Sequence, residues 1–543
     1  MAVYAYIDVS QKQEYIYKNS KMLDNLYYSF IIKAVTEKLS GDGHPLDKGS
    51  LPELRDIVFL EEYLNENFRH QYVFEYSGGG NSIIRFETQE DATRFVKGYS
   101  FEVLAAYPDL ELYISLVDEE KEGITDQSDI DRQIRELLIQ KADELKEKRR
   151  SRFKRWSYGV EVLDENGQAK QIKSDDRKED TDEQRKKIIR KYLFAKFANA
   201  LGDAVKITDK LDDYKKEENE KSYIGIIAVD GNKMGDMVKK IGRFEDLRAF
   251  SQAIGKKYFD AIVAALKEYR SKVETEELLL TPVLQSGDDI CLIVEAEHAI
   301  AIAAGIIRKI MENSCDEKTL QQVIGSGYLT ACGGVAIARY SYPFFEAIKI
   351  AESLCQRAKE NIHLVKNPEA GRQRECFLHW EVVQSQVAAG IAYENYVKDR
   401  NIHVRFHIKP VCIDQTDLVK DGIFSYAGFK QLVREIQTAQ AKKNISSSLL
   451  ENLKQQMYEG IASYQLFLEI NRQESERLTN LVEQIFFQHV DHIDQYMTMV
   501  EENNKSITYI LNDVLEALPF MAKIKEGSDG TGEELSNKSR DLQ

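Results

Sequence analysis

Two stretches of the chain share one shape, and that repetition restricts the fold more than any other feature. Residues 72–86 read YVFEYSGGGNSIIRF and residues 282–296 read PVLQSGDDICLIVEA. In each, an apolar run enters a turn of small residues and a second apolar run leaves it. The surroundings repeat as well. The first hairpin is preceded by YAYIDV at 4–9, which ends near Asp8, and by a helical stretch with Leu23, Leu26, Phe30 and Val35 on one face. It is followed by a helix from about Thr88 and the strand LELYISLV. The second hairpin is preceded by YIGIIAVD, ending at Asp230, and by a helix carrying Leu247, Phe250, Ile254, Tyr258 and Ile262 at helical spacing. The helix EHAIAIAAGIIRKIMEN and the strand YLTACGGVAIA follow it. Each copy therefore reads β-α-β-β-α-β, the ferredoxin-like order.

The expected class is α+β: two tandem ferredoxin-like domains, a charged helical region between them and a C-terminal all-α domain. The expected boundaries are 1–117, 118–222, 223–422 and 423–525, with a disordered polar tail at 526–543. IHVRFHIKPVCI at 402–413 reads as one alternating strand. A hydrophobic content of 43% and a charged content of 30% fit a packed globular chain. No run of eighteen apolar residues suggests a membrane span. The opening MAVYAYIDVSQKQ lacks the basic and small-residue pattern of a secretion signal, so a cytoplasmic location is expected. Six scattered cysteines (Cys291, Cys315, Cys332, Cys355, Cys376 and Cys412) form no CxxC pair, against both a disulfide framework and a Cys-rich zinc site. A net charge of −16 argues against a generic nucleic-acid coat and leaves room only for a local basic patch.

The two hairpins differ where chemistry would sit. The second carries Asp288 and Asp289 after Ser286 and Gly287; the first has Gly79, Gly80 and Asn81 there. In a β-α-β-β unit the strand ending at Asp230 neighbours this hairpin, so three carboxylates converge at one sheet end. Clustered acids repel unless cations neutralise them, and hard Mg²⁺ or Mn²⁺ suits an all-oxygen set. Two such ions about 3.5–4 Å apart activate a 3′-hydroxyl and stabilise a leaving pyrophosphate. In the loop DGNKMGD, Gly231 and Gly235 let backbone amides approach phosphate at a helix start. Lys359, late in AESLCQRAKE, is placed to meet a triphosphate as a point charge.

At these residues the sequence resembles the large subunit of type III CRISPR effector complexes, the palm-domain synthase of cyclic oligoadenylate. VDGNKMG, with Gly231, Asn232, Met234 and Gly235, resembles that family's first metal motif, and SGDD its GGDD motif. CGGVAIARYSYPFFEAIKIAESLCQRAK resembles the ending shared by these palms and GGDEF cyclases. YIDVSQKQEYIYKNSKM and YSGGGNSIIRF resemble the family's first, non-catalytic palm. The resemblance implies ATP as substrate, Asp230, Asp288 and Asp289 as metal-binding catalytic residues, and a two-nucleotide site between the palms. It also implies guide-RNA complex subunits and target RNA as partners, or a cyclic-nucleotide-sensing effector in a CRISPR-independent system. The chain departs from the pattern in four ways. The first palm starts at once, without the family's frequent HD nuclease domain or any His-Asp dipeptide. The inter-palm YGVEVLDENGQAKQIKSDD carries no cysteine for a zinc element. Ser286 stands for the first Gly of GGDD, and Asn232 stands where some relatives have Asp.

Two further features have plainer readings. His489, Asp491, His492 and Asp494 in HVDHID read as the polar face of an amphipathic helix rather than a metal site. The basic run at 146–155 reads as a solvated helix face before it reads as an RNA contact. Two competing readings stand beside the enzyme. One is a silent structural subunit of an RNA-guided complex. The other is a cyclase acting as a palm homodimer, which the covalent pairing of two palms disfavours.

Overall fold

The computed structural model describes residues 2–18, 21–39, 52–69, 71–123, 129–149, 177–216, 222–275, 277–314, 328–364, 375–383, 404–415, 417–420, 422–486, 496–501 and 506–523. The cysteine-free stretch at 158–176, residues 150–155 of the basic run, Cys315, the group at 489–494 and the tail at 526–543 lie outside them.

In the first repeat, β1 (Val3–Val9), β2 (Tyr72–Gly78), β3 (Asn81–Phe86) and β4 (Leu112–Asp118) form an antiparallel sheet in the order β2-β3-β1-β4. Its helices are α1 (Lys12–Ile16), α2 (Met22–Thr36), α3 (Leu60–Phe68) and α4 (Gln89–Ala106). Thr88 caps α4 by accepting the Asp91 amide hydrogen at 3.1 Å. Helices α5 (Ile130–Arg149) and α6 (Arg177–Leu201) and the short β5 (Lys206–Ile207) lead to the second repeat. That repeat holds β6 (Tyr223–Gly231), α7 (Met234–Lys240), α8 (Phe244–Lys272), β7 (Leu279–Ser286), β8 (Asp289–Glu295), α9 (Ala296–Ser314), β9 (Ala331–Arg339) and α10 (Phe344–Glu360). The order β9-β6-β8-β7 reproduces that of the first sheet. It is extended by β10 (Phe377–Val382) beside β9 and by β5 beside β7.

Strand β6 is apolar on both faces because both are covered. Ile227 and Val229 pack with Ile262 of α8 and Ile300 of α9. Ile224, Ile226 and Ala228 pack with Ile348 and Leu354 of α10. The period of two puts Asp230, the next residue of the second set, on the α10 face. Helix α10 lies close to β9 at Gly334, where a Cβ would stand 2.1 Å from the Ala351 carbonyl oxygen and 2.4 Å from the Cys355 nitrogen. A side chain there would push α10 away from the strand end.

The two repeats and the helix between them are joined by direct polar contacts. The Arg248 guanidinium of α8 donates to the carbonyls of Phe74 (2.8 Å) and Glu75 (2.9 Å) on β2. Arg135 of α5 donates to the carbonyls of Val238 (3.0 Å) and Ile241 (2.9 Å), closing the C-terminus of α7.

The run at 402–413, expected as one strand, is two short ones: β11 (Val404–Arg405) and β12 (Val411–Cys412). Pro410 has no N–H for a ladder, and the Asp513 carboxylate takes the amides of Ile408 (2.6 Å) and Lys409 (3.0 Å). The C-terminal part is built on α11 (Tyr426–Ala441), α12 (Ser447–Glu459), α13 (Ile461–Ile470), α14 (Arg472–Phe486) and α15 (Leu511–Ala517). Gly460, at φ +122°, divides α12 from α13, which the sequence presents as one helical run. The helices are not the whole of it. Thr498–Glu501 and Ser506–Tyr509 pair as a hairpin beside β11, where a helical pattern was expected to continue.

Lys409 ties this part to the second sheet. Its wholly buried ammonium lies 3.0 Å from Glu381, 2.8 Å from Glu516 and 3.6 Å from Asp513. Burial opposes the Asp513 charge, but Lys409 and His407 prevail and hold its carboxyl well below the usual range. Lys409→Met strands three acids and is expected to cost on the order of 3–5 kcal/mol. Urea unfolding followed by fluorescence reads this locally, since Trp380 lies 5.7 Å from the ammonium. Unchanged stability would mean that the acids find other compensation.

Candidate functional site

The register between β6 and β8 ends at Val229 opposite Ile290. The next residues along are Asp230 and Asp289. Ser286 pairs with Asp289 across a two-residue turn of Gly287 and Asp288, with Gly287 at φ +61°. The Asp288 carboxyl meets that of Asp230 at hydrogen-bonding range. Lys359 reaches in from α10, its ammonium 2.5 Å from the Asp230 carboxylate and 2.9 Å from the Gly231 carbonyl oxygen. Gly231 is needed for closeness. A Cβ there would lie 2.6 Å from both the Tyr258 hydroxyl and the Met234 methyl, and 2.9 Å from an Asp288 oxygen.

The electrostatics follow from this crowding. Burial first, then the charge of Asp230, pushes Asp288 up to about 6, with Lys359 pulling the other way. Burial, then Asp230, Glu352 and Asp288, pushes Asp289 up to about 7. Asp289 is nonetheless exposed to solvent, so the like charges are its sturdier cause. Glu352 is raised to about 7 by burial, with Lys349 opposing and Asp230 adding to the rise. Tyr258, fully buried against Asp288 and Asp230, has a hydroxyl with no hydrogen-bond partner.

Other expected residues sit differently. The Asn232 side chain is spent inside the fold, donating to Thr330 Oγ1 (3.1 Å) and the Glu375 carbonyl (2.7 Å). Met234 opens α7, and Gly235 has open space beside it. Lys233, at φ +56°, is held by Glu375 at 2.5 Å.

The first palm has the same frame with different charges. Asp8 pairs with Asn81, as Asp230 would with Asp289. The turn is Gly79–Gly80, both at positive φ. Two ammonium groups converge on Asp8: Lys12 at 3.1 Å and Lys146, from α5, at 2.8 Å. Lys12 also donates to the Gly79 carbonyl at 3.1 Å, and the Gly80 amide to Glu37 at 2.6 Å. This hairpin abuts α8, with Tyr76 Oη 3.4 Å from Ser251 Oγ. Tyr76 also lies near enough to Asp288 to feel its charge. On the other side, Gln13 of α1 donates to Glu352 at 3.1 Å. The aspartates therefore lie where the two palms meet.

Sequence reasoning missed Glu352, Tyr258 and the two first-palm lysines. Glu352 was within reach, because it stands two helical turns before Lys359 on the same face of α10. Lys146 was not, since its partner lies across the fold.

A carboxyl whose folded pKa exceeds its unfolded value of 3.8 loses stability as pH rises, here from about 4 to about 7. In chelator-treated protein, Asp288→Asn with Asp289→Asn should therefore raise stability at pH 8 by on the order of 1 kcal/mol after solvent screening. The gain should vanish near pH 4. Denaturation midpoints across that range check it, and a gain equal at both ends would contradict the charge argument.

Residues 223–367 match the family model described as Cas10/Cmr2, second palm domain. No curated protein matches the chain. Among solved structures, the chain aligns with one from the Csm1–Csm4 cassette in complex with pppApApA at 12% identity and a TM-score of 0.51, covering 96% of this chain and 69% of that one. The same cassette with pppApA gives 12% and 0.50, covering 96% and 69%. With cA3 it gives 13% and 0.50, covering 96% and 70%. At such identity the likeness is one of fold. Among the described residues, no helix is long and apolar enough to cross a membrane. Residues 223–367 thus form a palm of the Cas10/Cmr2 second-palm kind, set in a chain that shares the fold of the Csm1–Csm4 cassette structures along most of its length.

Proposed function

We propose that this protein is a nucleotidyltransferase that joins ATP into linear or cyclic oligoadenylates, as a type III CRISPR large subunit or a CRISPR-independent relative. The observation that carries the reading is the contact of Asp230 with both Asp288 and the Lys359 ammonium, with Asp289 on the neighbouring strand, at the meeting of two palms. The pppApApA and cA3 complexes of the Csm1–Csm4 cassette support an ATP-derived product.

The donor set fits a hard divalent cation. It is all oxygen, it carries more negative charge than Lys359 offsets, and burial together with the neighbouring acids raises Asp288 and Asp289 in pKa. Asp230 and Asp288 are in contact, but the three aspartates are not among the sets that close within 4.8 Å. Asp230, Asp288 and Asp289 would hold Mg²⁺ or Mn²⁺. When bound, such ions lower the pKa of a 3′-hydroxyl and offset the charge of departing pyrophosphate.

The chain's own groups do the rest. Gly231 and the start of α7 present backbone to phosphate oxygens. Lys359 exchanges part of its contact with Asp230 for a triphosphate. The turn Gly79–Gly80–Asn81 offers a close backbone surface for a second nucleotide, whose 3′-hydroxyl faces the α-phosphate of the first. Partners follow by the same reading: a Csm4-type subunit with guide and target RNA, or a sensor of the cyclic product.

Protein with ATP, Mg²⁺ or Mn²⁺ and its activating RNA or partner should release pyrophosphate. Asp288→Ala with Asp289→Ala should remove at least about 10³-fold of that turnover while leaving the fold intact. Lys359→Ala should mainly raise the ATP concentration needed for half-maximal rate. Equal turnover in wild type and double variant would sink the metal-site assignment. Silence of the wild type with every activator and nucleotide would favour the structural-subunit reading.

A further inference from the structure

We infer that Glu295, Glu297 and His298 form a binding site for a zinc-class divalent ion that fastens the joint between β8 and α9. The site is separate from the aspartates. Strand β8 starts at Asp289 and ends at Glu295, so roughly 20 Å of strand lies between them.

Two carboxylates and one imidazole offer donor atoms that all lie within 4.8 Å of one another. His298 is 1% exposed, and its Nε2 has no hydrogen-bond partner. That atom stands 3.7 Å from Glu295 Oε2 and 3.8 Å from Glu297 Oε1. These separations are too long for hydrogen bonds. They are close to the roughly 3.3–3.6 Å between neighbouring donors that each stand about 2.0–2.2 Å from one ion. The other ring nitrogen, Nδ1, lies 2.9 Å from the Tyr269 hydroxyl. A proton on Nδ1, donated to the phenol oxygen, leaves the Nε2 lone pair bare between the two carboxylates. This is how a metal-ligating histidine is usually oriented.

Burial, then Lys216 and Arg270 against the opposing charge of Glu297, holds the imidazole down to about 4, which keeps it neutral. Three features oppose a cation. The Lys216 ammonium lies 3.5 Å from Glu297 Oε1, the Arg270 charge reaches the imidazole, and the helix start presents its positive end. The lysine pair is half-exposed and therefore weak, and two carboxylates balance a divalent charge. The imidazole selects against Mg²⁺ and for a zinc-class ion. The comparable trio of His407, Asp513 and Glu516 is excluded, because the Lys409 ammonium already stands among its acids. The joint also bears on the C-terminal segment, since the Ala522 amide donates to the Glu297 carbonyl at 3.0 Å.

The test uses the full chain carrying Asp288→Ala and Asp289→Ala, which removes the nucleotide-site acids, after chelator treatment. Titration with Co²⁺ should give the strong visible absorption of a four- or five-coordinate site with a nitrogen ligand. It should saturate at one equivalent and be displaced by Zn²⁺, and Zn²⁺ should raise the unfolding midpoint. Glu297→Gln, at a half-exposed position that tolerates change, should weaken Co²⁺ binding at least about tenfold, and Tyr269→Phe about tenfold through ring orientation. His298→Gln should abolish the signal. A weak octahedral-type spectrum, no binding, or equal affinity in the Glu297 and wild-type proteins overturns the site. None of these outcomes depends on nucleotide turnover.

Discussion

Like-charge repulsion at one end of a sheet is the constraint around which the second palm is arranged. Antiparallel register puts Asp230 beside Asp289, and a two-residue turn folds Asp288 onto Asp230. At an effective dielectric of 20, two unit charges 4 Å apart repel by about 4 kcal/mol. One ammonium cannot balance three carboxylates and the nearby Glu352. Much of the surrounding architecture keeps this arrangement from relaxing. Gly334 admits α10 close to β9, which carries Lys359 to the strand end, and Gly231 leaves room for Tyr258 and Asp288. Bulk at either glycine would spread the acids apart and remove the strain along with the site.

The palm–palm junction uses the same economy of contacts. Arg248 closes on two carbonyls of the partner hairpin's strand, and Arg135 closes the end of α7, the short helix that follows Gly231. Both guanidiniums donate to backbone oxygens, and Arg248 also stands 3.9 Å from the Glu75 carboxylate. The junction is thus held by geometry-sensitive donors, and displacing the first palm would disturb α7 and α8, the two helices leading out of the Asp230 strand.

Much of this was legible in the sequence because it is local and periodic. The unbroken apolar run YIGIIAVD marks a covered strand that ends at Asp230, and the turn residues SGDD and GGGN fix which residues lie across each hairpin. The one-face spacing of α10 places Lys359. What was not legible depends on distant partners. Lys146 reads as one charge in a basic helix, and only the packing of α5 on the first sheet brings it to Asp8. Asp513 sits in an ordinary helix start, yet it captures the amides of Ile408 and Lys409 and splits a strand that alternation alone predicts whole. The hairpin of Thr498–Glu501 and Ser506–Tyr509 follows a long amphipathic pattern that masks its short β-branched runs.

The two lysines on Asp8 give the duplicated palms different relations to their medium. A cation attached to the chain has no dissociation constant. Its occupancy does not fall when free divalent ions are scarce, nor when phosphates chelate them. The first palm's charge balance is therefore written into its covalent structure, whereas under the proposed metal site the second palm's would be set by the ions in the solution around it.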